Sequence, residues 1–534
     1  MNCFASPARA WPAGNLFRTA LLLVVLACFQ PLSAATIYVN TDGGSDANPG
    51  TGWNLPKETV TGGLLAAADG DQVWVAKGTY AEHLVIDGSI KNVALYGGFA
   101  GTESSLDERD TQASETILDG TLTGTVLIIQ GNASASTRVD GFTITNGRPP
   151  LSGGSGGGIR IIASAPVIAN NLIRNNESND GLGGGIFVFG ARVVTTDIFE
   201  HPLILNNRIR ENMAKGFFGE GGGIALQSSD AQILDNIIVR NQASHNGGGI
   251  LVRVSDTEII NSDPKIIGNV IVENIAGSLN PWMVDWGELA EGICWKGGGG
   301  IFVSTADEFC SYITGATSSP VIANNLIAAN GAYEGGGVLI QENKSTAFIT
   351  NNTIVANSGA GLFWEAAGIE AANNLVAYNS AGMEESALPV LPSTVVLDHN
   401  NVYGNQLLQD DTNYVGIADA TGLLGNLSVD PVLADYHAGH FHLQPASPCI
   451  DAGNNAYTLN AGLQEDIEGD QRILDGTVDI GADESTGVTW DASRLVVHVK
   501  PDGNEAEDGL TWPSARATIG SAIEVATSTA DTAI

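Results

Sequence analysis

A ten-residue phrase recurs seven times between residues 167 and 379 and restricts the fold of this chain more than any other feature of its sequence. The copies are VIANNLIRNN (167–176), LILNNRIREN (203–212), QILDNIIVRN (232–241), KIIGNVIVEN (265–274), VIANNLIAAN (321–330), FITNNTIVAN (348–357) and EAANNLVAYN (370–379). Each pairs apolar residues with Asn at its fifth and tenth positions. RVDGFTITNG (138–147) is an earlier copy with Gly141 in the first Asn column and Asn146 in the second, and LDHNNVYGN (397–405) is a worn last one. Between copies fall glycine runs closed by an aliphatic residue, such as Gly183 to Ile186 and Gly247 to Ile250, each opening a short apolar strand. Short strands between Gly and Asn corners, repeating at intervals of 22 to 36 residues apart from one of 56, suit neither a helical nor a leucine-rich repeat. They suit the coils of a β-helix.

The physical reason is stacking. Coils lie on one another at strand spacing, so equivalent positions form columns through the molecule. An Asn amide both donates to and accepts from the Asn above and below, and Asn tolerates left-handed corners. One column is expected through Asn171, Asn207, Asn236, Asn269, Asn325, Asn352, Asn374 and Asn401. A second is expected through Asn176, Asn212, Asn241, Asn274, Asn330, Asn357 and Asn379. Glycine supplies positive φ and close coil-to-coil approach. These asparagines are therefore architecture rather than ligands, and the fold class is all-β, a right-handed parallel β-helix.

Composition agrees: 67 glycines accompany 43% hydrophobic and only 15% charged residues, a mix that feeds a long thin core and argues against disorder. The formal charge is −36, which repels nucleic acid. Residues 1–35 read as a signal peptide: Arg9 and Arg18 precede the apolar run 20–29, and Ser33-Ala34-Ala35 offers a cleavage site near Ala35. A secreted or cell-surface location follows, and no later transmembrane run is present. A lipidated Cys28 is the competing reading of the leader. Of the cysteines beyond it, Cys294 and Cys310 are the plausible disulfide pair, with two unpaired thiols as the alternative.

Residues 36–135 form an N-terminal cap and first coils, with a helix expected from Thr59 to Ala68. Residues 136–405 hold the laddered coils, and 406–487 the last coils and a closing segment. From 496 the cap phrase restarts, pairing Val39 with Val499, Asp42 with Asp502, Trp53 with Trp512 and Thr59 with Thr518. Residues 488–534 thus read as the truncated start of a second β-helix unit. The cap phrase, the Asn/Gly coils and the ending SPCIDAGNN…DIGADE together resemble the bacterial right-handed β-helix proteins with the pectate-lyase-like fold, over residues 37–484. That resemblance implies a fold and leaves activity open, because the superfamily holds polysaccharide lyases, glycoside hydrolases, epimerases and adhesive surface proteins.

In such a fold the coils are scaffold, and ligands lie along an outer face walled by insertions. The longest interval between ladder asparagines, Asn269 to Asn325, carries Trp282, Trp286 and Trp295, which can stack on sugar rings, among Asp285, Glu288, Glu291, Asp307 and Glu308. Paired carboxylates serve glycoside hydrolysis, and Asp285, Glu288 and Glu291 are the candidate catalytic acids. The alternative is that the tryptophans pack the insertion onto the solenoid and the acids face water. A lyase would need a Lys or Arg base, and Arg192, Lys215, Arg253, Lys265, Lys296 and Lys344 are the coil-region candidates, none in a recognisable setting. Asp42, Asp46 and Asn48 offer oxygens for Ca²⁺, although Asx-turns in a cap explain the same residues. His245, His437, His440 and His442 read as surface or packing residues. Two functions are expected: binding or cleavage of a polysaccharide along a face walled by 276–320, or a surface structural or adhesive solenoid without catalysis.

Overall fold

Each phrase folds into two short strands joined by a sharp corner, as Val167–Ala169 and Leu172–Arg174 show. The following glycine run feeds a third strand, Ile186–Phe189. The computed structural model describes residues 34–487 apart from 151–153, 191–192, 196–197, 217, 255–261, 278–296, 306–316, 342–345, 387–392, 408–409 and 437–438. Equivalent strands pair in parallel and in register, Val167 with Leu203 and Leu203 with Gln232 for example. The result is three long sheets of 12, 11 and 11 parallel strands, here called A, B and C, with a smaller sheet of four. The chain is a right-handed parallel β-helix, as its repeats require. No helix among the described residues is long and apolar enough to cross a membrane.

Inward-facing β-branched side chains fill the bore. Ile168, Ile204, Ile233, Ile266, Ile322 and Ile349 stack along sheet A, and Ile173, Ile209, Ile238, Ile271, Ile327 and Ile354 along sheet B, all fully buried. Burying each such side chain contributes about 1.5–3 kcal/mol before entropy is counted, so a coil gains a comparable amount from each of its walls. Wall strands are short because the corners, not the strands, set the cross-section.

The ladders hold the corners. Asn207 is typical: its Nδ2 donates to Asn236 Oδ1 at 3.0 Å and to Ile168 O at 2.8 Å, while its Oδ1 accepts from Asn171 N and Nδ2, both at 3.0 Å. Both expected columns run as described through Asn374 and Asn379, but the ends differ. The first continues through Asn400 and Asn426, not Asn401: Asn374 Nδ2 donates to Asn400 Oδ1 at 2.9 Å. Pairing of Ala372 with Asp398 fixes this register, and Asn401 begins the next strand opposite Leu375. The second column extends through Asn405 to Asn413. At the other end the column positions belong to Phe142 and Gly147, whose amides donate to Asn171 and Asn176, rather than to Gly141 and Asn146. The left-handed residue is also not the ladder Asn but the one before it, including Glu211, Arg240, Glu273 and Tyr378 at φ 55–58°. Ladder bonding overrides the local preference for Gly or Asn there.

The glycine runs have a steric reason. A Cβ on Gly222 would stand 2.4 Å from Gln242 O and 2.5 Å from Gly248 O, so only glycine lets adjacent coils meet.

Thr36–Val39 pairs with Gln72–Ala76 at the N-terminal end, beneath a helix spanning Val60–Ala66. Thr59 caps that helix by accepting from Gly62 N at 2.8 Å. At the far end the chain turns back, and Leu443, Cys449 and Ile480 pack on Ala328, Val355, Leu375 and Ala377 of the sheet B face. Gly481 N donates to Asn373 O, and Ala482 N to Thr353 Oγ1, both at 2.9 Å, tying this closing segment to the corners.

Candidate functional site

The insertion residues singled out above, Trp282, Trp286, Trp295, Asp285, Glu288, Glu291, Asp307 and Glu308, lie outside the described residues, as do Cys294, Cys310, Arg192, Lys296, Lys344, His437 and the second cap from 488. Their roots are visible. The long insertion leaves sheet D, the four-stranded sheet, after Ile275–Ala276 and rejoins at Gly297, and the next follows Ile301–Ser304 of sheet C. The outer face of sheet C between these roots carries a second, outward apolar column of Phe187, Ala225, Leu251, Phe302, Leu339 and Phe363, all buried. Beside it Arg253 pairs with Glu220 at 2.7 Å, Asn246 Nδ2 donates to Glu220 Oε1 at 2.8 Å, and Gly297 N donates to Asn246 Oδ1 at 3.0 Å.

His245 sits at this root, and burial pushes its pKa down from 6.5 to about 4. An unfolded chain takes up this proton first, so the stability that neutral His245 contributes is present above pH 6.5 and is lost as pH falls toward 4. The expected loss is on the order of 3 kcal/mol across that window. Denaturant titrations at pH 7 and pH 4.5 should show it, and His245→Gln should flatten the difference; an unchanged difference in the variant would assign the acid sensitivity to other groups.

Asp42, Asp46 and Asn48 share the cap loop but do different things. Asp46 Oδ1 accepts from Glu58 N and Thr59 N, both at 3.0 Å, and its Oδ2 from Thr59 Oγ1 at 2.7 Å. Burial works to raise its pKa, yet the Thr59 and Glu58 hydrogen bonds win and hold it below the usual value. Asn48 Nδ2 donates to Pro56 O, and the Asp42 amide donates to Asn40 Oδ1. The LDHN phrase forms a corner: His399 is the left-handed residue before Asn400, with Nδ1 against Asp398 Oδ1. Lys215 is paired with Glu177 at 2.7 Å, and Cys449 is a buried free thiol that burial pushes up to about 11.

Sequence reasoning missed an open groove of about 810 Å³ at the corner between sheets A and B. One wall is the excursion between Ala94–Phe99 and Thr116–Asp119, contributing Leu106, Asp107, Arg109, Thr111 and Glu115; the floor crosses three coils at Asp140–Thr143, Asn170–Leu172 and Asn206–Arg208. Arg109 holds the wall in place. It pairs with buried Asp140 at 3.0 Å, donates to Gly97 O at 3.2 Å, and lies over the Tyr96 ring at 5.1 Å. Arg138 and Asn170 Nδ2 complete the Asp140 shell at 2.5 and 2.8 Å, and Glu115 accepts from Thr143 Oγ1 at 2.8 Å.

Along the sheet B face the strands pair Leu172 with Arg208 and Arg174 with Arg210, so three arginines are neighbours there, Arg174 and Arg208 half-buried and Arg210 buried and paired with Glu211 at 2.8 Å. Arg174 is 4.0 Å from Glu115, and its buried Nε has no hydrogen-bond partner among the described residues. Residues 138–215 hold eight Lys and Arg against six Asp and Glu, a positive stretch in a chain of charge −36. Beyond the arginines the same face turns apolar, with Ile237 exposed and Val270 half-buried, until the closing segment covers it. The signal was present at the sixth and eighth positions of the phrase, which carry Arg only in the copies at 167 and 203.

Three solved structures are similar in fold. A pectate lyase, Pel9A, is 14% identical over 85% of this chain and 98% of its own, with a TM-score of 0.43. XylC in complex with xylose is 12% identical over 84% and 98%, at 0.40, and a rhamnogalacturonan lyase is 13% identical over 83% and 96%, at 0.29. No curated protein matches the sequence. Residues 42–325, more than half of the chain, match the family described as a protein of unknown function, DUF1565, and the chain belongs to that family.

Proposed function

We propose that this chain is an exported β-helix that associates with an acidic polysaccharide along the corner of sheets A and B. The groove with Arg208 on its floor, and Arg174 beside Glu115 of its wall, carries this reading. Guanidinium groups bind carboxylates through forked hydrogen bonds, and the exposed Ile237 beyond them offers an apolar surface for a sugar face. The overall negative charge does not oppose this decisively, because charges more than about 8 Å away are largely screened at physiological salt. The lining itself carries Asp107, Glu115 and Asp140 beside Arg109 and Arg208, with Arg109 paired to Asp140, so the reading rests on Arg208 and the adjacent Arg174. The polysaccharide first expected beside residues 276–320 is thus placed, in this reading, on a different face of the same coils.

Affinity electrophoresis in gels containing polygalacturonate, alginate or neutral xylan tests it. Retardation by an acidic polymer is expected, weakened at least about tenfold in Arg174→Ala/Arg208→Ala, as loss of two charge-assisted contacts of roughly 1 kcal/mol each would give. Equal retardation of the variant, or stronger retardation by xylan, would contradict it. Reducing-end and unsaturated-product assays on any retained polymer then separate binding from cleavage. A solenoid that retains no polymer at all would favour the structural or adhesive role.

A further inference from the structure

A second cluster lies in the closing segment, away from the groove. His442 belongs to strand His440–Leu443, Glu468 to the turn after Asp466, and Asp483 to the terminal stretch. Each is separately positioned. Asp466 Oδ1 accepts from Glu468 N and Asp470 N, both at 2.9 Å, and its Oδ2 from Glu484 N at 2.9 Å, which fixes the turn against the terminal stretch. Leu443 N donates to Asp483 Oδ2 at 2.8 Å, fixing the stretch against the strand. His442 Nε2 meets Glu468 Oε1, and one ligand atom from each of the three residues lies within 4.8 Å of the others.

We propose that His442, Glu468 and Asp483 bind a divalent transition-metal ion that staples the closing segment. An ion with bonds of about 2.1 Å holds neighbouring ligand atoms roughly 3–4 Å apart, so the cluster would accept it with small side-chain shifts, the His442–Glu468 contact opening around the ion. One imidazole nitrogen with two carboxylates suits Zn²⁺ or Mn²⁺ rather than Ca²⁺, which takes oxygen ligands. Charge independently favours a cation. Asp483 is only 9% exposed, and its carboxylate lies beside that of Glu468. The one guanidinium in the segment, Arg472, is committed to Glu484 and Gly481 O. Glu468 has a side chain 41% exposed, leaving the open side of the site to water. The ion would join strand, turn and terminal stretch through one side chain from each.

The test uses the full chain, stripped of metal by a chelator and titrated calorimetrically with Zn²⁺, Mn²⁺ and Ca²⁺ in turn, with thermal midpoints recorded alongside. One equivalent of Zn²⁺ or Mn²⁺ should bind and raise the midpoint, as ligand binding to the folded state requires. His442→Ala and Asp483→Asn should each weaken binding by about tenfold or more. Glu468→Gln, at an exposed position that leaves folding intact, should do the same and abolish the midpoint shift. Absence of saturable binding, affinity unchanged in Glu468→Gln, or Ca²⁺ binding as tightly as Zn²⁺ would each overturn the assignment.

Discussion

Asn207→Leu is expected to destabilise the chain by on the order of 4 kcal/mol, whereas Asn206→Gly, one residue earlier, should change stability by less than about 1 kcal/mol. The two residues are the same amino acid in the same phrase, and only their place in the coil differs. Asn207 is buried, and leucine would remove the acceptor of Asn171 N, one of the two bonds made by Asn171 Nδ2, the side-chain donor to Ile168 O and one of the two donors to Asn236 Oδ1. Asn206 takes the left-handed conformation at φ 51°, which glycine adopts freely, and loses only an exposed bond from its Nδ2 to Asn170 Oδ1. Denaturant unfolding followed by circular dichroism measures both. Similar losses from the two changes would mean that the side-chain ladder does not hold the coils together.

Arg472→Met is expected to cost about 3–5 kcal/mol, most of it in the closing segment. Both partners of the Arg472–Glu484 pair are almost wholly inside, at 1% side-chain exposure, and 2.9 Å apart. Glu484 also accepts from Asp479 N at 3.0 Å and Leu474 N at 2.9 Å, a set of donors that holds a carboxylate, so we take the pair as ionic despite its burial. Removing the guanidinium strands that charge. The double change Arg472→Met/Glu484→Leu should recover part of the loss, because it removes the stranded charge while leaving Leu474 N and Asp479 N without the Glu484 acceptor. Limited proteolysis would locate the effect: cleavage between 441 and 487 should rise in the single variant and fall back in the double. Equal sensitivity of single and double variants would show that the pair is not coupled.

The solenoid was legible because stacking imposes one side chain on every buried corner, and a column of identical residues survives in sequence as a repeat. Its ends were not, since Asn400 and Asn401 are indistinguishable until strand pairing decides which one faces inward. The same parity hid the groove. Arg174, Arg208 and Arg210 become neighbours only when strand pairing is known, and the groove wall facing Arg208 comes from an excursion with no repeat of its own. His442, Glu468 and Asp483 converge from three segments separated by up to 41 residues, which no local pattern announces. The tryptophan-rich insertion stands out by composition and lies outside the described residues, whereas the proposed groove is a plainer stretch of coil.

Hydrogen–deuterium exchange of the full chain, with and without an oligogalacturonate, tests the functional account most directly. Protection is expected across 106–116, 140–143, 170–174 and 206–210, with little change in the insertion at 278–296. Protection confined to that insertion, or none on any coil, would contradict it.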